Sequence, residues 1–227
     1  MSGADDRLRA FYDLRAGEEP ERDPEALLRF RKALTAAELR TDERVLDIGA
    51  KRGGLAQIAR ELGLRIVYTG ADLSEENVAL ASEAGLDVRQ ADVGKELPFP
   101  DASFDCVFCL ELLEHLVSPL TLLEEIRRVL ADHGRAVISV PSPYSWVEVA
   151  RELFHLHDSE GHLSSFTTPV LENLAALAGL RIERRLGTSI RIPKTGRLVA
   201  TNSILARSRM YVLRPAASVV FAGRRLA

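Results

Sequence analysis

The sequence predicts an α/β fold in which helices cover both faces of one doubly wound, mostly parallel sheet. Over residues 41–141, short apolar segments alternate with amphipathic segments of helical period, which indicates right-handed βαβ units. Three of the predicted strands end in an aspartate, and a loop with glycines at both ends follows the first of them. With 227 residues, 46% of them hydrophobic, the chain can build one sizeable core. We therefore expect a single domain over residues 1–227.

Composition excludes several classes of partner. The net charge of −3 gives no basic surface for nucleic acid or for an acidic membrane. The charged N-terminus lacks the apolar core of a secretory signal, and every apolar stretch is too short to span a bilayer. Cys106 and Cys109 fall in a predicted buried strand, on opposite faces, as reduced thiols would. We expect a cytoplasmic protein that binds neither nucleic acid nor membrane; its oligomeric state stays open.

Residues 1–40 are predicted to form a helical cap. Asp23 is a suitable N-cap, Pro24 suits the first helical position, and apolar residues recur from Leu27 on one face. This helix is expected to pack on the sheet. The preceding segment contains Phe11 and Tyr12, and Tyr12 is a candidate lid residue over the ligand crevice.

Residues 41–141 are predicted to form the cofactor-binding core. Strands are expected at 45–48, 65–72, 87–92, 104–110 and 135–141, separated by helices, and the nearly continuous apolar run of 104–110 is typical of a central parallel strand. The loop 49–54 leads into apolar residues at 55, 58, 59 and 62, the spacing of a half-buried helix.

Past Pro141 the pattern changes. Residues 142–166 are rich in aromatic and histidine residues and are predicted to be a helical lid inserted over the active edge of the sheet. Residues 167–227 are expected to supply a helix from Thr168, an alternating strand at 180–186, a helix near 197–207 and a final strand at 217–222. That last strand is expected to form an antiparallel pair at the C-terminal edge of the sheet.

The acids at the strand ends indicate the ligand. Asp72 follows the second strand, where a carboxylate can accept hydrogen bonds from ribose hydroxyls. The loop lacks the central glycine that a pyrophosphate needs, and Asp47 is a poor neighbour for phosphates, so a nicotinamide cofactor is disfavoured. Asp47 instead suits an amine-bearing ligand, and Asp92 offers an acceptor for an adenine amine. This combination describes S-adenosylmethionine.

Five segments, in order, carry a resemblance to a known family. They are Val45–Gly53, Gly70–Ser74, Ala91–Val93 with Leu97–Asp105, Glu111–Leu116, and Gly161–Leu163 with Phe166–Thr167. Over residues 40–182 the sequence resembles class I S-adenosylmethionine-dependent methyltransferases of the small-molecule subgroup that includes ubiquinone and menaquinone enzymes. The resemblance implies a Rossmann-like fold and a small-molecule methyl acceptor, which we expect to be methylated at oxygen.

The resemblance also implies the cofactor contacts. Asp47, Gly49 and Gly53 would surround the methionine portion, Asp72 would hold the ribose, and Asp92 with Val93 would meet the adenine. The full expected set is Asp47, Gly49, Ala50, Lys51, Gly53, Asp72, Leu73, Asp92, Val93 and Leu110. The family expects glycine at position 51 and a small residue at 52, where this chain has Lys51 and Arg52. Lys51 either turns to solvent or pairs with an acidic group of the ligand.

Glu111 and His115 are the candidates for a catalytic base, with helix packing as the alternative for His115. Candidate substrate or lid residues are Tyr12, Tyr144, Trp146, His155 and His162. The histidines and acids of 155–162 do not match the spacing of known zinc sites, so no metal is expected. Two alternatives to the methyltransferase remain: a binding domain of the same shape without catalysis, and a nicotinamide-dependent oxidoreductase.

Overall fold

The computed structural model describes residues 23–158, 160–192, 197–203, 205–218, 220–221 and 224–225. Tyr12 and the rest of residues 1–22 lie outside the described residues. The helices are α1 (Pro24–Ala37), α2 (Gly54–Glu61), α3 (Glu75–Glu83), α4 (Pro119–Val129), α5 (Trp146–Leu153) and α6 (Thr168–Leu177), with a 3₁₀ turn at Leu113–His115. The main strands are β1 (Glu43–Ile48), β2 (Ile66–Asp72), β3 (Val88–Gln90), β4 (Phe104–Leu110), β5 (Leu130–Pro141) and β6 (Leu180–Gly187). Short strands β7 (Ser189–Arg191) and β8 (Leu198–Ala200) precede β9 (Ser208–Pro215), β10 (Val220–Phe221) and β11 (Arg224–Arg225).

Seven strands form one sheet in the order β3-β2-β1-β4-β5-β9-β6. The first five are parallel to one another, and β9 runs antiparallel to both β5 and β6. This confirms the predicted doubly wound, mostly parallel, Rossmann-like sheet with an antiparallel strand. Because the order reverses between β1 and β4, the crevice at the carboxyl ends of these strands is the usual binding place in such folds.

The C-terminal elements differ from the expected ones. The antiparallel strand is 208–215 rather than 217–222, and it lies between β5 and β6 instead of at the edge. Residues 220–221 pair only with 224–225, in a separate hairpin. The predicted helix near 197–207 is wrong: residues 198–200 form β8, which pairs with β7.

Apolar side chains of alternating strand positions enter two cores. One core contains Leu46, Val107 and Cys109 and lies under α4 and α6; the other contains Val45, Cys106 and Phe108 and lies under α1 and α2. The two cysteines are buried and unbridged, on opposite faces as predicted. Within the described residues, no helix has the length and apolar character needed to cross a bilayer.

The predicted N-terminal helix is confirmed for its described part. Asp23 caps it by accepting hydrogen bonds from the amides of Glu25 and Ala26, and Pro24 occupies the first turn. At its other end the buried Arg135 of β5 donates to the carbonyl oxygens of Ala37 and Glu38 and pairs with Glu43, at 2.6 Å. A cation at a helix C-terminus interacts favourably with the negative end of the helix dipole. Arg135 therefore fixes α1 against the start of β1.

Candidate active site

The predicted acids come together at one edge of the sheet. Residues 47, 70 and 88 stand side by side across β1, β2 and β3, because Asp47 pairs with Gly70 and Gly70 pairs with Val88. Asp72 ends β2, and Asp92 follows β3 by two residues. The three acids therefore lie at or just beyond the carboxyl ends of neighbouring parallel strands, on the side of the sheet edge that carries the glycine loop.

The glycine loop is held tightly between β1 and α2. Gly49 and Gly53 have φ of +75° and +81°, and a Cβ added at Gly53 would lie 2.2 Å from Leu86 Cδ1. A Cβ at Gly49 would lie 3.2 Å from Leu112 Cδ2, so the segment after β4 leans directly on the loop. Only glycine combines this conformation with such close approach. Gly49 and Gly53 therefore shape the loop, and their contact with the methionine portion of the cofactor stays a prediction.

Asp72 links the loop to the start of α3. Its Oδ2 accepts a 2.7 Å hydrogen bond from the Lys51 amide, and its Oδ1 accepts from the Ser74 amide and from Asn77 Nδ2. A carboxylate offers about four lone-pair positions. These three bonds leave Oδ2 with capacity for a further donor, such as a ribose hydroxyl.

Asp47 is a buried carboxyl group, only 5% exposed, at the base of the loop. Burial raises its pKa to about 7, the hydrogen bond from the Tyr68 hydroxyl, at 3.0 Å, acts in the opposite direction, and the charge of Asp72 adds to the rise. Burial likewise raises the pKa of Tyr68, so the phenol remains a donor. Tyr68, which the sequence did not single out, orients Asp47. Such an acid is well placed to meet a cationic ligand group that would restore its charge.

The remaining predicted cofactor residues surround these acids. Asp92 is half-buried; it accepts from the Gly94 amide and pairs with Lys95 at 2.7 Å. Ala50 and Val93 are buried, and Leu73 and Leu110 are half-buried. Lys51 is exposed and has a φ of 49°, so a lysine adopts the left-handed conformation at a position where the resemblance predicts glycine. Adenine-side and methionine-side contacts stay predictions.

Glu111 directly follows β4 with a φ of 52° and is fully engaged. Its two carboxylate oxygens accept from Ser139 Oγ at 2.6 Å and Ser208 Oγ at 2.7 Å, and Arg29 of α1 lies 3.9 Å away. Glu111 thereby ties β5, β9 and α1 together at the edge of the crevice. This geometry favours a positioning role for Glu111 over that of a proton acceptor.

His115 sits in the 3₁₀ turn, where it meets the lid. Its Nδ1 lies 3.3 Å from the Gly161 carbonyl oxygen, and its ring is 5.0 Å from the ring of His162. Glu114, one residue earlier, is 1% exposed, and burial followed by the charge of Glu111 raises its pKa well above the usual range. The sequence did not mark Glu114 as a site residue, because nothing in its neighbourhood predicts that its side chain turns inward.

The lid is fastened by an ion-pair network. Arg207, just before β9, contacts Glu148 at 2.9 Å and Glu160 at 2.8 Å, and Arg151 of α5 contacts the same two carboxylates. Asp158 accepts the His162 amide at 2.8 Å and lies 3.3 Å from its Nδ1. The network holds α5 and the 158–162 turn in one arrangement.

A cleft of about 500 Å³ lies within the lid segment 142–166, between α5 and residues 162–166, with Pro141 also lining it. His155 and His162 line it with charged residues and with apolar Leu156 and Phe166. Trp146, 47% exposed, lines a second cleft of about 220 Å³ with Arg207. Tyr144 is 42% exposed at the start of the lid. His155 and His162 therefore line one cleft and Trp146 the other, whereas Tyr144 lines neither.

Comparisons with known proteins agree with this geometry. A family model described as a methyltransferase domain matches residues 20–184. A 27-O-demethylrifamycin SV methyltransferase from Amycolatopsis mediterranei is 38% identical over 117 residues, 46% of this chain and 42% of that protein. A ubiquinone biosynthesis O-methyltransferase from Psychrobacter arcticus is 28% identical over 193 residues, 77% of this chain and 73% of that protein. The chain thus spans less than half the length of the first of these relatives.

Among solved structures, the chain is similar to one in a complex between the Haloferax volcanii Trm112 methyltransferase activator and a methyltransferase. The TM-score is 0.71 at 20% identity, with 90% of this chain and 97% of that chain covered. At this level of identity the likeness shows the fold alone.

Proposed function

Because the chain belongs to the family of class I S-adenosylmethionine-dependent methyltransferases, with S-adenosylmethionine as its cofactor, we propose that it methylates an oxygen atom of a small molecule. The observation that carries the proposal is that the strained loop begins next to Asp47 and is hydrogen-bonded to Asp72. Asp47 is a buried acid that suits a cationic ligand group, and the loop amide of Lys51 fixes Asp72, the acid that would face the ribose. The residues present therefore fit this cofactor.

The cofactor supplies an activated methyl group on a sulfonium, and the chain supplies position. Leu112 packs against the loop, and the turn at 113–115 follows it in the chain. An acceptor would approach the methyl group along this side of the crevice. The cleft within the lid segment combines Leu156 and Phe166 with charged groups, which suits an acceptor with an apolar body and a polar group. The names of the two relatives, both O-methyltransferases, favour oxygen over nitrogen or carbon.

The first experiment is calorimetric titration with S-adenosylmethionine and, separately, NADH. We expect binding of the first and none of the second. Asp72→Ala should abolish binding, whereas Asp132→Ala, at a side chain that is 97% exposed, should leave it unchanged. Binding of NADH instead would favour the oxidoreductase.

The second experiment assays methyl transfer to a panel of phenols, catechols and their amino analogues, with mass spectrometry of the products. An O-methyl product supports the proposal. Cofactor binding without any product across the panel favours the non-catalytic binding domain, and an N-methyl product would contradict the choice of oxygen. We also propose a cytoplasmic location, since the buried thiols of Cys106 and Cys109 are unbridged.

A further inference from the structure

We propose that Glu114, His115 and His162 form a binding site for a divalent transition-metal ion beside the cofactor loop. One potential ligand atom from each residue lies within 4.8 Å of the others. An ion at the centre of such a triangle is at most about 2.8 Å from each atom, so shifts of less than about 1 Å reach the ~2.0–2.2 Å of zinc–nitrogen and zinc–oxygen bonds.

Glu114 is the first observation that points to a cation. Its side chain is buried, at 1% exposure, yet among the described residues neither carboxylate oxygen has a hydrogen-bond partner. Buried carboxylates are normally paired, hydrogen-bonded or bound to a metal. A metal ion between Glu114 and the two histidines would satisfy these oxygens.

The histidines are oriented in the way that metal ligands are. The Gly161 carbonyl oxygen can only accept, so His115 Nδ1 donates to it, and in the neutral ring Nε2 carries the lone pair. His162 has a carboxylate at each ring nitrogen, Asp158 at 3.3 Å from Nδ1 and Glu160 at 3.5 Å from Nε2, so one acid would be the outer partner and the other would move aside or join the ion as a fourth ligand. A carbonyl or carboxylate behind the imidazole is the usual outer partner of a ligating histidine.

Docking of the lid does not require the side chain of Glu114. The amides of Leu163 and Ser164 donate to the main-chain carbonyl oxygen of Glu114, at 2.7 and 3.1 Å. Backbone hydrogen bonds thus already join the turn to the lid. A buried acid facing two imidazoles is then left without a structural purpose that an apolar side chain could not serve.

The donor set favours certain ions. Two imidazoles and one carboxylate suit Zn²⁺, Mn²⁺ or Fe²⁺, whereas Mg²⁺ and Ca²⁺ prefer oxygen ligands. Three protein ligands also leave coordination positions open for water or an acceptor oxygen. The prediction of no metal is based on the spacing within 155–162. Of the three proposed ligands, only His162 lies in that range.

The catalytic role of this site rests on the proposed function. Leu112 packs on Gly49, so the turn that carries Glu114 and His115 adjoins the loop that would hold the methyl donor. A cation there would bind the acceptor hydroxyl, lower its pKa and orient its oxygen. The hydroxyl proton would then pass to solvent water, and the S–CH₃ bond would break as the O–CH₃ bond forms, so no side-chain base is required.

The test uses the full chain after removal of metals with a chelator. Zn²⁺ and Mn²⁺ are titrated against a competing chelator, and Co²⁺ is added to read coordination from its visible spectrum. We expect one tight site in the wild type and in His133→Ala, whose imidazole is 71% exposed and lies near the start of β5. Glu114→Gln, His115→Ala and His162→Ala should each bind at least about 100-fold more weakly, beyond the roughly 10–100-fold typical of outer-shell changes.

Glu114→Gln separates a ligand from a structural residue. The metal-free variant should unfold at the same or a higher temperature than the metal-free wild type, while losing the rise in melting temperature that the metal gives. No binding by the wild type, or equal binding by Glu114→Gln, would overturn the site. Metal binding without methyl transfer supports the site and contradicts the proposed function, and methyl transfer that survives the chelator overturns the catalytic role.

Discussion

Replacing Asp47 by asparagine should stabilise the cofactor-free protein, and the gain should grow with pH. In the folded protein burial raises the pKa of Asp47 to about 7 from its ordinary value of 3.8, with the Tyr68 hydrogen bond opposing and Asp72 adding to the rise. Between these values the folded protein keeps a proton that the unfolded chain has lost. The stability that this proton gives is complete below the unfolded pKa and disappears as the pH rises through 7.

The magnitude follows from the width of that window. Each unit of pKa difference corresponds to about 1.4 kcal/mol. From about pH 5 to the folded pKa of about 7, the unfolded carboxyl group is ionised while the folded one is still protonated. Raising the pH from about 5 to about 8 crosses these two units, so the wild type loses about 3 kcal/mol of stability. Asparagine keeps the shape and an oxygen acceptor for Tyr68 but carries no charge, so it should not show this loss.

The assay is urea unfolding of wild type and Asp47→Asn, without cofactor, at both pH values. The amount by which Asp47→Asn raises the free energy of unfolding above that of the wild type should be about 3 kcal/mol larger at the higher pH. Glu125→Gln is the matched control, because the hydrogen bonds from Arg128 lower the pKa of Glu125 and it stays ionised throughout the window. A difference between the two pH values below about 1 kcal/mol for Asp47→Asn would refute the buried, raised-pKa assignment.

Three further changes test the loop and the lid. Lys51→Gly removes a left-handed lysine and should raise the free energy of unfolding by up to about 1 kcal/mol; a fall in calorimetric affinity for S-adenosylmethionine would instead show that the lysine side chain binds the cofactor. Gly53→Ala meets Leu86 and should cost at least about 2 kcal/mol, whereas Gly63→Ala, with open space around it, should cost about 1 kcal/mol in thermal unfolding. Arg207→Ala should speed proteolytic cleavage within 146–162 several-fold, and equal rates in it and in Arg65→Ala, an exposed ion pair, would contradict the fastening role.

Much of the sheet could be predicted because its strands carry their own signal. The strand 104–110 is an apolar run that is buried on both faces, and its predicted and observed bounds coincide. The C-terminal strand could not be predicted this way. In 208–215 only four consecutive apolar residues, 210–213, stand between arginines, whereas 217–222 is apolar almost throughout. Which of these two segments joins the sheet depends on how well each fits between β5 and β6, and this is a property of the folded chain.

The same distinction applies to the site. The positions of Asp47 and Asp72 could be predicted because neighbouring parallel strands end at the same edge of the sheet, whatever packs around them. The inward turn of Glu114 and its approach to His162 depend on how the lid docks, through the Leu163 and Ser164 amides. Likewise, Arg29 and Arg207 reach the site from helix and loop positions where arginine usually faces solvent. Contacts between segments distant along the chain leave no local pattern.

Position 51 shows how a departure from a family pattern can be compatible with its function. The left-handed conformation costs a residue other than glycine roughly 1–2 kcal/mol. In return, the Lys51 amide donates a 2.7 Å hydrogen bond to Asp72, and bonds to charged groups contribute about 1.5–3 kcal/mol. The bond uses the main chain only, and the side chain lies exposed. Position 51 therefore takes a positive φ, which lysine adopts at the expense of strain, and the main-chain bond between the loop and Asp72 is kept.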